Sequence, residues 1–416
     1  MDNRTILVWF RNDLRIHDNE ILLHAVERSH QIVPVYCFDP RWFADTEHGI
    51  KKTGVLRAAF LRENVLALKQ SLRELGGELV TTVGYPEEQL PEIAAAYGVD
   101  EVYHHREVAF EETQVSARVE AALWKKTQIN LRHFIGHTLY HKEDLPFPIR
   151  DIPDAFSIFR KKTERESEIR PQLGRPERIT IPENLVVDDV PSLQQLGFSE
   201  TEIKLASHIA FDGGETAALE RMHRFLNNQE QSQVSCLSPY IAIGALSPNT
   251  LYHAVRDSGR IGTDKKQLEQ FMLKLLWRDY YRFMFKKHRN QFFHEGGLTD
   301  QSPETVGGQT AVSNFEKWKT GTTGQPVVDR GIQQLNETGY IAHQTRILLA
   351  SYLIFELGVS WLKGAAWFEE KLVDYNPASN YGNWAHLAGV GSSTKDNKRV
   401  DIDKLITQLS HAETLV

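Results

Sequence analysis

The chain is poor in cysteine: 416 residues hold two, Cys37 and Cys236, far apart and in no CxxC or metal-ligand spacing. That excludes a disulfide framework and a cysteine-based redox or metal motif, and points to a cytosolic protein. Long apolar runs are absent, so no membrane span is expected. The first residues, MDNRTILVWF, lack the positive stretch, apolar run and small-residue cleavage site of a signal peptide. There is no internal repeat and no low-complexity tract. There is no GxGxxG, so the sequence itself supports no dinucleotide fingerprint in its first part. An excess of positive charge is also missing, since the formal net charge is −7. This excludes a wholly basic nucleic-acid binder but not a local basic patch, because binding depends on where charge sits.

What is present is enough chain for two or more domains, 41% hydrophobic and 25% charged. Aromatics reach 10%, with eight Trp and twenty Phe, which suits a flat-ligand pocket and equally a large core. The first third alternates strand-like runs (Thr5–Phe10, Ile32–Phe38, Glu78–Thr82, Glu101–His104, Ile129–Phe134) with helical patterns such as Leu56–Leu75 and Pro86–Ala96. Alternating β and α implies a doubly wound parallel sheet, Rossmann-like in outline, with ligands at the carboxyl ends of its strands. From Phe134 to His208 periodicity fades into Pro-rich, charged sequence, which reads as a long interdomain connection over the surface. From Gly213 strand signals vanish and helical patterns take over, ending in a peripheral helix and tail after Asp401. The expected division is an α/β domain over residues 1–133, a linker over 134–208 and an all-α domain over 209–416.

Four constellations could carry chemistry. In VSCLSPYIAIGALSP (Val234–Pro248), Ser235 and Ser238 precede a helix-like run. Hydroxyls and free N–H groups at a helix start make an anion site, though spacing alone favours a plain N-cap. Around LLWRDYYRFMFKK (Leu275–Lys287), the cations Lys274, Arg278, Arg282 and Lys286 recur every four residues and share one helical face. Interleaved aromatics suit phosphate contact and base stacking; the alternative is a charged face meeting water. TGYIAHQTR (Thr338–Arg346) is followed by VDYNPASNYGNW (Val373–Trp384), a polar cluster between apolar helical patterns. Buried amides and carboxylates need partners, and a buried Asp374 would want a cation such as Arg346, with a purely structural ion pair as the alternative. Trp361, Trp367 and Trp384 are the last set. Core packing is expected for Trp367, while Trp384 directly follows the polar cluster, a place suited to a redox partner of an aromatic cofactor.

Taken together, these segments resemble the cryptochrome/photolyase family, most closely its DASH branch. VWFRNDLRIHDNEILLHA (Val8–Ala25), VYCFDPRWF (Val35–Phe43), LYHKEDLPF (Leu139–Phe147), GGETAALERMHRFL, LSPYIAIGALSP, LLWRDYYRF, TGQPVVD and GAAWFEEKLVDYNPASNYGNW follow in family order. The resemblance implies an α/β antenna domain, a long linker and an α-helical domain holding bent FAD against the polar stretch. It implies Asn380 beside the flavin N5, Asp374 paired with Arg346 at the flavin, and Asn376 near the ribose where the family often has Asp. Ser235, Leu237 and Ser238 would meet the phosphates, supported by Arg278, and His343 would lie near the flavin. Trp384 and Trp361 match the first two members of an electron-transfer chain. Glu107, in HHREV, matches the carboxylate that many DASH proteins use for a folate (methenyltetrahydrofolate) antenna. The implied activity is that of a deoxyribodipyrimidine photo-lyase. Blue light drives an electron from reduced FAD to a pyrimidine dimer flipped out of single-stranded or damaged DNA, where unstacking costs least.

The sequence also departs from the family. Lys274 stands where a dimer-contacting Glu is expected, so a hydrogen-bond acceptor becomes a donor-only cation. The segment between Gly214 and Val234 is short and lacks the Tyr/Lys/Thr/Arg/Asn phosphate motif, and Val234 replaces a hydroxyl. His343 and Gln344 replace an Asn/Arg pair. SPETVGGQTAVSNF (Ser302–Phe315) has no Trp where the third chain member belongs, and the chain ends before the usual final Tyr and Trp-Leu-Pro-Glu-Leu segment. The leading expectation is therefore a FAD-binding DASH-type flavoprotein with weakened repair, acting as a monomer. It would touch DNA through Lys274, Arg282 and Tyr381. The alternatives are a non-repairing blue-light receptor with a protein signalling partner and a cofactor-free homologue.

Overall fold

In the computed structural model, residues 4–46, 48–207, 209–227, 235–258, 265–299, 301–393 and 400–410 are described. Strands β1 (Thr5–Phe10), β2 (Gln31–Phe38), β3 (Val80–Val83), β4 (Glu101–His105) and β5 (Leu131–Phe134) form one parallel sheet in the order β3-β2-β1-β4-β5. Every residue of the central strand β1 is buried, which is why it reads as an unbroken apolar run rather than an alternating one. Its register sets Ile6 against Ile32 on one side and against Glu101 on the other. The chain leaves β1 first toward β2 and β3, then crosses to β4 and β5. The carboxyl ends of β1 and β4 are thus the topological switch point where such sheets receive ligands. Helices α1 (Glu20–Arg28), α2 (Val55–Glu74), α3 (Pro86–Ala96) and α4 (Phe110–Thr127) cover the faces.

Residues 134–208 are not a loose surface connection. Leu139, Tyr140, Ile152, Phe156, Phe159, Ile179 and Val190 are all buried. Apolar residues spaced among prolines, without helical period, are pinned where the backbone returns to the sheet: Ile179 N–H donates to Leu75 O, and Ile32 N–H donates to Thr180 O. Within this stretch lie α5 (Phe156–Glu166) and α6 (Glu200–Ala206). Then follow α7 (Glu215–Leu226), α8 (Ser238–Ile243), α9 (Pro248–Asp257), α10 (Lys265–His288), α11 (Gly308–Thr320) and α12 (Pro326–Thr338). The last are α13 (His343–Ser351), α14 (Trp361–Lys371), α15 (Pro377–Leu387) and α16 (Ile402–Ser410). Among the described residues, no helix is long and apolar enough to cross a membrane. Cys37 and Cys236 are both buried, and neither forms a disulfide.

The loop leaving β1 wires the two layers together. Arg15 donates to the carbonyls of Asp18 and Gly244, Leu14 N–H donates to Ile243 O, and Glu215 accepts from the N–H groups of Ile16 and His17. This is the structural content of the FRNDLRIHDN motif. Gly244 ends α8 at φ 75°, and a Cβ there would lie 1.9 Å from Asn12 O. Gly244→Ala is expected to lower the unfolding free energy by about 2 kcal/mol, from left-handed strain plus a clash with rigid backbone. Urea unfolding of the two proteins checks it.

Candidate functional site

At the carboxyl end of β4, Glu107 is buried, not an exposed loop carboxylate. Asn12 Nδ2 donates to its Oε1 at 2.8 Å, Arg282 Nη2 donates to its Oε2 at 2.9 Å, and His137 Nε2 lies 3.5 Å away. Burial works to raise its pKa, but His137, Arg282, Arg11 and Asn12 outweigh this and hold the carboxyl well below its usual range. One hydrogen bond from a protein group reaches each carboxylate oxygen, so the carboxylate serves the packing between α10 and the β1 loop. A separate cavity of about 120 Å³ lies near the ends of β1 and β2, among Trp42, Tyr36, Arg57 and Tyr375. That is below the roughly 300 Å³ at which small-molecule sites begin.

The basic stripe of α10 faces the other layer rather than solvent. Arg282 is 2% exposed and committed to Glu107. Arg278 donates to the carbonyls of His137 and Ile241, and burial with Arg282 alongside pulls its pKa down to about 10. Lys286 is half-buried, and burial together with Lys142 and Arg106 brings it to about 8. Lys274 alone of the four is exposed. The expectation of a DNA contact at Arg282 is therefore corrected, while Arg278 holds α8, the helix that begins at Ser238, through Ile241 O. Four-residue spacing defines a shared face, but the buried carboxylate it faces comes from a segment about 175 residues away. Tyr381 is corrected likewise: it is buried, and its hydroxyl donates to Glu369 Oε2 at 2.8 Å.

The Arg346–Asp374 pair forms as the sequence suggested. Nη1 and Nη2 of Arg346 donate to Oδ1 and Oδ2 of Asp374 at 3.0 and 2.8 Å, and the guanidinium lies over the Tyr340 ring. Ser238 Oγ donates to Asp374 at 2.6 Å, so this hydroxyl braces the ion pair. Ser235 is half-buried and Leu237 is buried at the start of α8. The short segment residues 228–234, with Val234, lie outside the described residues. His343, at the start of α13, is exposed, and Arg346 on the next turn is half-buried. The protein surroundings and then the positive charge of Arg346 and Lys274 lower the His343 pKa. A braced guanidinium with further positive charge nearby suits an anionic group.

The polar stretch is largely satisfied by the protein itself. Asn376 caps α15, its side chain accepting from Ser379 N–H, with Pro377 at the first helical position. Asn380 is buried, and its Nδ2 donates to Ala365 O at 2.9 Å, fixing the amide plane. Asn383 Nδ2 donates to Ser379 O. These partners weaken the inference that the cluster must be completed by a cofactor. Trp384 and Trp361 are both buried. The Trp384 ring lies against Gly364, where a Cβ would sit 2.3 Å from it, and Trp361 is on the same face of α14 three residues earlier. Trp367 is half-buried and packs against the core as expected, with Lys371 and Lys319 over its ring. Residues 302–315 supply no further indole, but Trp318 on α11 is fully buried with its ring 6.3 Å from Trp384. Sequence reasoning missed Trp318, Glu369 and an open basin beside Trp277, where Phe156 stacks on Trp277 and Arg160 and Lys161 form the rim. A basic pair beside FSIF was the available signal for the basin; Glu369 gave none.

These layers belong to the photolyase class: the family profile described as DNA photolyase matches residues 6–177, and that of the FAD binding domain of DNA photolyase matches residues 271–411. Cryptochrome DASH of Gloeobacter violaceus is 37% identical over 411 residues, spanning 95% of this chain and 81% of the relative. Cryptochrome DASH of Synechocystis sp. is 37% identical over 415 residues, spanning 96% and 84%. The crystal structure of Synechocystis sp. PCC6803 cryptochrome superposes with a TM-score of 0.89 at 36% identity, covering 99% of this chain and 87% of that one. The chain belongs to the cryptochrome/photolyase family, in its cryptochrome DASH branch.

Arg282→Met strips the buried Glu107 of its guanidinium partner and is expected to lower the unfolding free energy by about 3–5 kcal/mol. Arg282→Met with Glu107→Gln together should recover much of that loss in the same urea titration. Because the native Glu107 pKa lies below its ordinary 4.5, its contribution is present above pH 4.5 and fades as pH falls further. Glu107→Gln should flatten that acid limb.

Proposed function

We propose that this protein is a FAD-binding blue-light flavoprotein whose light-driven electron transfer to cyclobutane pyrimidine dimers in single-stranded DNA is weakened. The observation that carries the reading is the Arg346–Asp374 ion pair, braced by Ser238 at the start of α8 and followed directly by the polar stretch of α15. When bound, FAD supplies the light absorption and the one-electron chemistry, while protein groups hold and tune it. Asp374 and Ser238 fix Arg346, and Asn380 is oriented by Ala365 O. Ser235, Leu237, Ser238, His343 and Asn376 are the remaining groups assigned to the cofactor. Lys274, exposed on α10, offers donors only, so it cannot accept hydrogen bonds from a base edge as a carboxylate would. DNA would be held by Lys274 with Arg160 and Lys161 at the basin beside Trp277. The α/β part (1–133), the packed connection (134–208) and the flavin domain from residue 209 form one cytosolic unit in this reading.

A second reading, a blue-light receptor without repair, is favoured by one finding: the cations Arg278 and Arg282 serve the domain interface and not a DNA-facing surface. A dimer-containing single-stranded oligonucleotide under blue light separates the two. Weak repair that rises on Lys274→Glu supports the first. Normal flavin photoreduction with no repair in either protein supports the receptor. Oligonucleotide affinity should also fall steeply with added salt, because counterion release drives such binding; a flat response contradicts a DNA partner.

A further inference from the structure

We propose that Tyr381 is the terminal electron donor of the photoreduction chain, handing its phenolic proton to Glu369. The inference rests on the flavoprotein reading above and deepens it. Among the described residues, the ring contact of Trp361 is with Tyr381, at 6.5 Å between centroids and an interplanar angle of 73°. The two rings therefore meet edge to face, close enough for direct electron exchange. Trp361 is a poor place for a positive hole to rest. It is 1% exposed, and its indole N–H donates to the backbone carbonyl of Glu295, which is not a base. Trp318, beside Trp384, has the same defect: its N–H donates to Leu349 O. Either indole can share the charge, but neither has a group to take its proton.

Tyr381 does. Its O–H already points at a carboxylate, Glu369 Oε2, 2.8 Å away, and both residues are buried. Burial raises the Glu369 pKa against the opposing pull of Arg57 and the Tyr381 and Tyr375 hydroxyls, which makes it a stronger base than an exposed glutamate. The step balances as follows. In the loaded protein Trp384 would supply one electron to the flavin and, in the order the family resemblance implies, recover it from Trp361, which would be left as a cation. Tyr381 gives Trp361 one electron and gives Glu369 its proton. The O–H bond breaks, the indole returns to neutral, a neutral tyrosyl radical remains, and the carboxylate becomes a neutral acid. No positive hole remains on the buried rings, and the negative charge leaves Glu369 as the electron reaches the cofactor, so return of the electron is opposed by the proton shift.

The test is electron paramagnetic resonance of the flavin-loaded protein, freeze-trapped under blue light. The wild type should show a tyrosyl radical whose lines narrow when ring-deuterated tyrosine is supplied. Tyr381→Phe, which keeps the ring, and Glu369→Gln, which keeps the shape but removes the base, should both lose that signal and leave a tryptophanyl radical. Tyr375→Phe should retain it. A tryptophanyl radical alone in the wild type, or a tyrosyl radical that survives Tyr381→Phe, overturns the proposal. If the protein holds no flavin, the flavoprotein reading fails by itself. Oxidation of the flavin-free chain by flash-generated ruthenium(III) then tests the tyrosine: the wild-type minus Tyr381→Phe difference must contain a tyrosyl spectrum, and its absence overturns the assignment.

Discussion

The buried contact between Glu107 and Arg282 is the constraint on which the remaining architecture depends. Removing two charges from water costs several kcal/mol per ion, so the pair is tolerable only with good geometry and further hydrogen bonds. Asn12 and His137 supply these around Glu107. Each contributor comes from a different part of the chain: the loop after β1, the end of β4, the connection and α10. All four must therefore assemble at once. Fixing α10 this way sends its cations inward along most of its length and leaves Lys274 and Trp277 at the outer end. The helix is an interdomain strap, and Lys274 is the exposed member of its four-residue cation series.

The site lies on the far side of that strap. There the protein builds a wall whose polar groups are already spoken for: Asp374 by Arg346 and Ser238, Asn380 by Ala365, Tyr381 by Glu369. A wall hydrogen-bonded before the cofactor arrives does not need to reorganise when charge moves across it, which is how electrostatic preorganisation lowers barriers. The same feature means the polar stretch does not by itself prove that a cofactor is present. The argument for a cofactor comes from the family match, in which residues 271–411 fit the FAD binding domain of DNA photolyase.

Much of this was legible in the sequence. The strands at Thr5–Phe10 and near Val102 and Leu131 follow from apolar runs between turn residues, and the sheet from their alternation with helices. Arg346 and Asp374 could be paired because a buried carboxylate demands a cation. What failed shares one cause: local spacing names a face but not its neighbour. Arg282 and Tyr381 were placed on a DNA surface because their partners, Glu107 and Glu369, were not identifiable from spacing. The connection was read as surface because proline suppresses periodicity even where the side chains between are buried. Trp318 was overlooked because it lies just past the segment where the resemblance placed an indole, and only the packing of α11 brings it to Trp384.

The most direct test of the central claim, a flavin held beside Arg346 and Asp374, is the absorption spectrum of the purified protein before and after blue light with a reductant. The account predicts a structured flavin band, near one FAD per chain, that bleaches under light and is lost in Asp374→Leu. A colourless wild-type protein that cannot be reconstituted with FAD would contradict it.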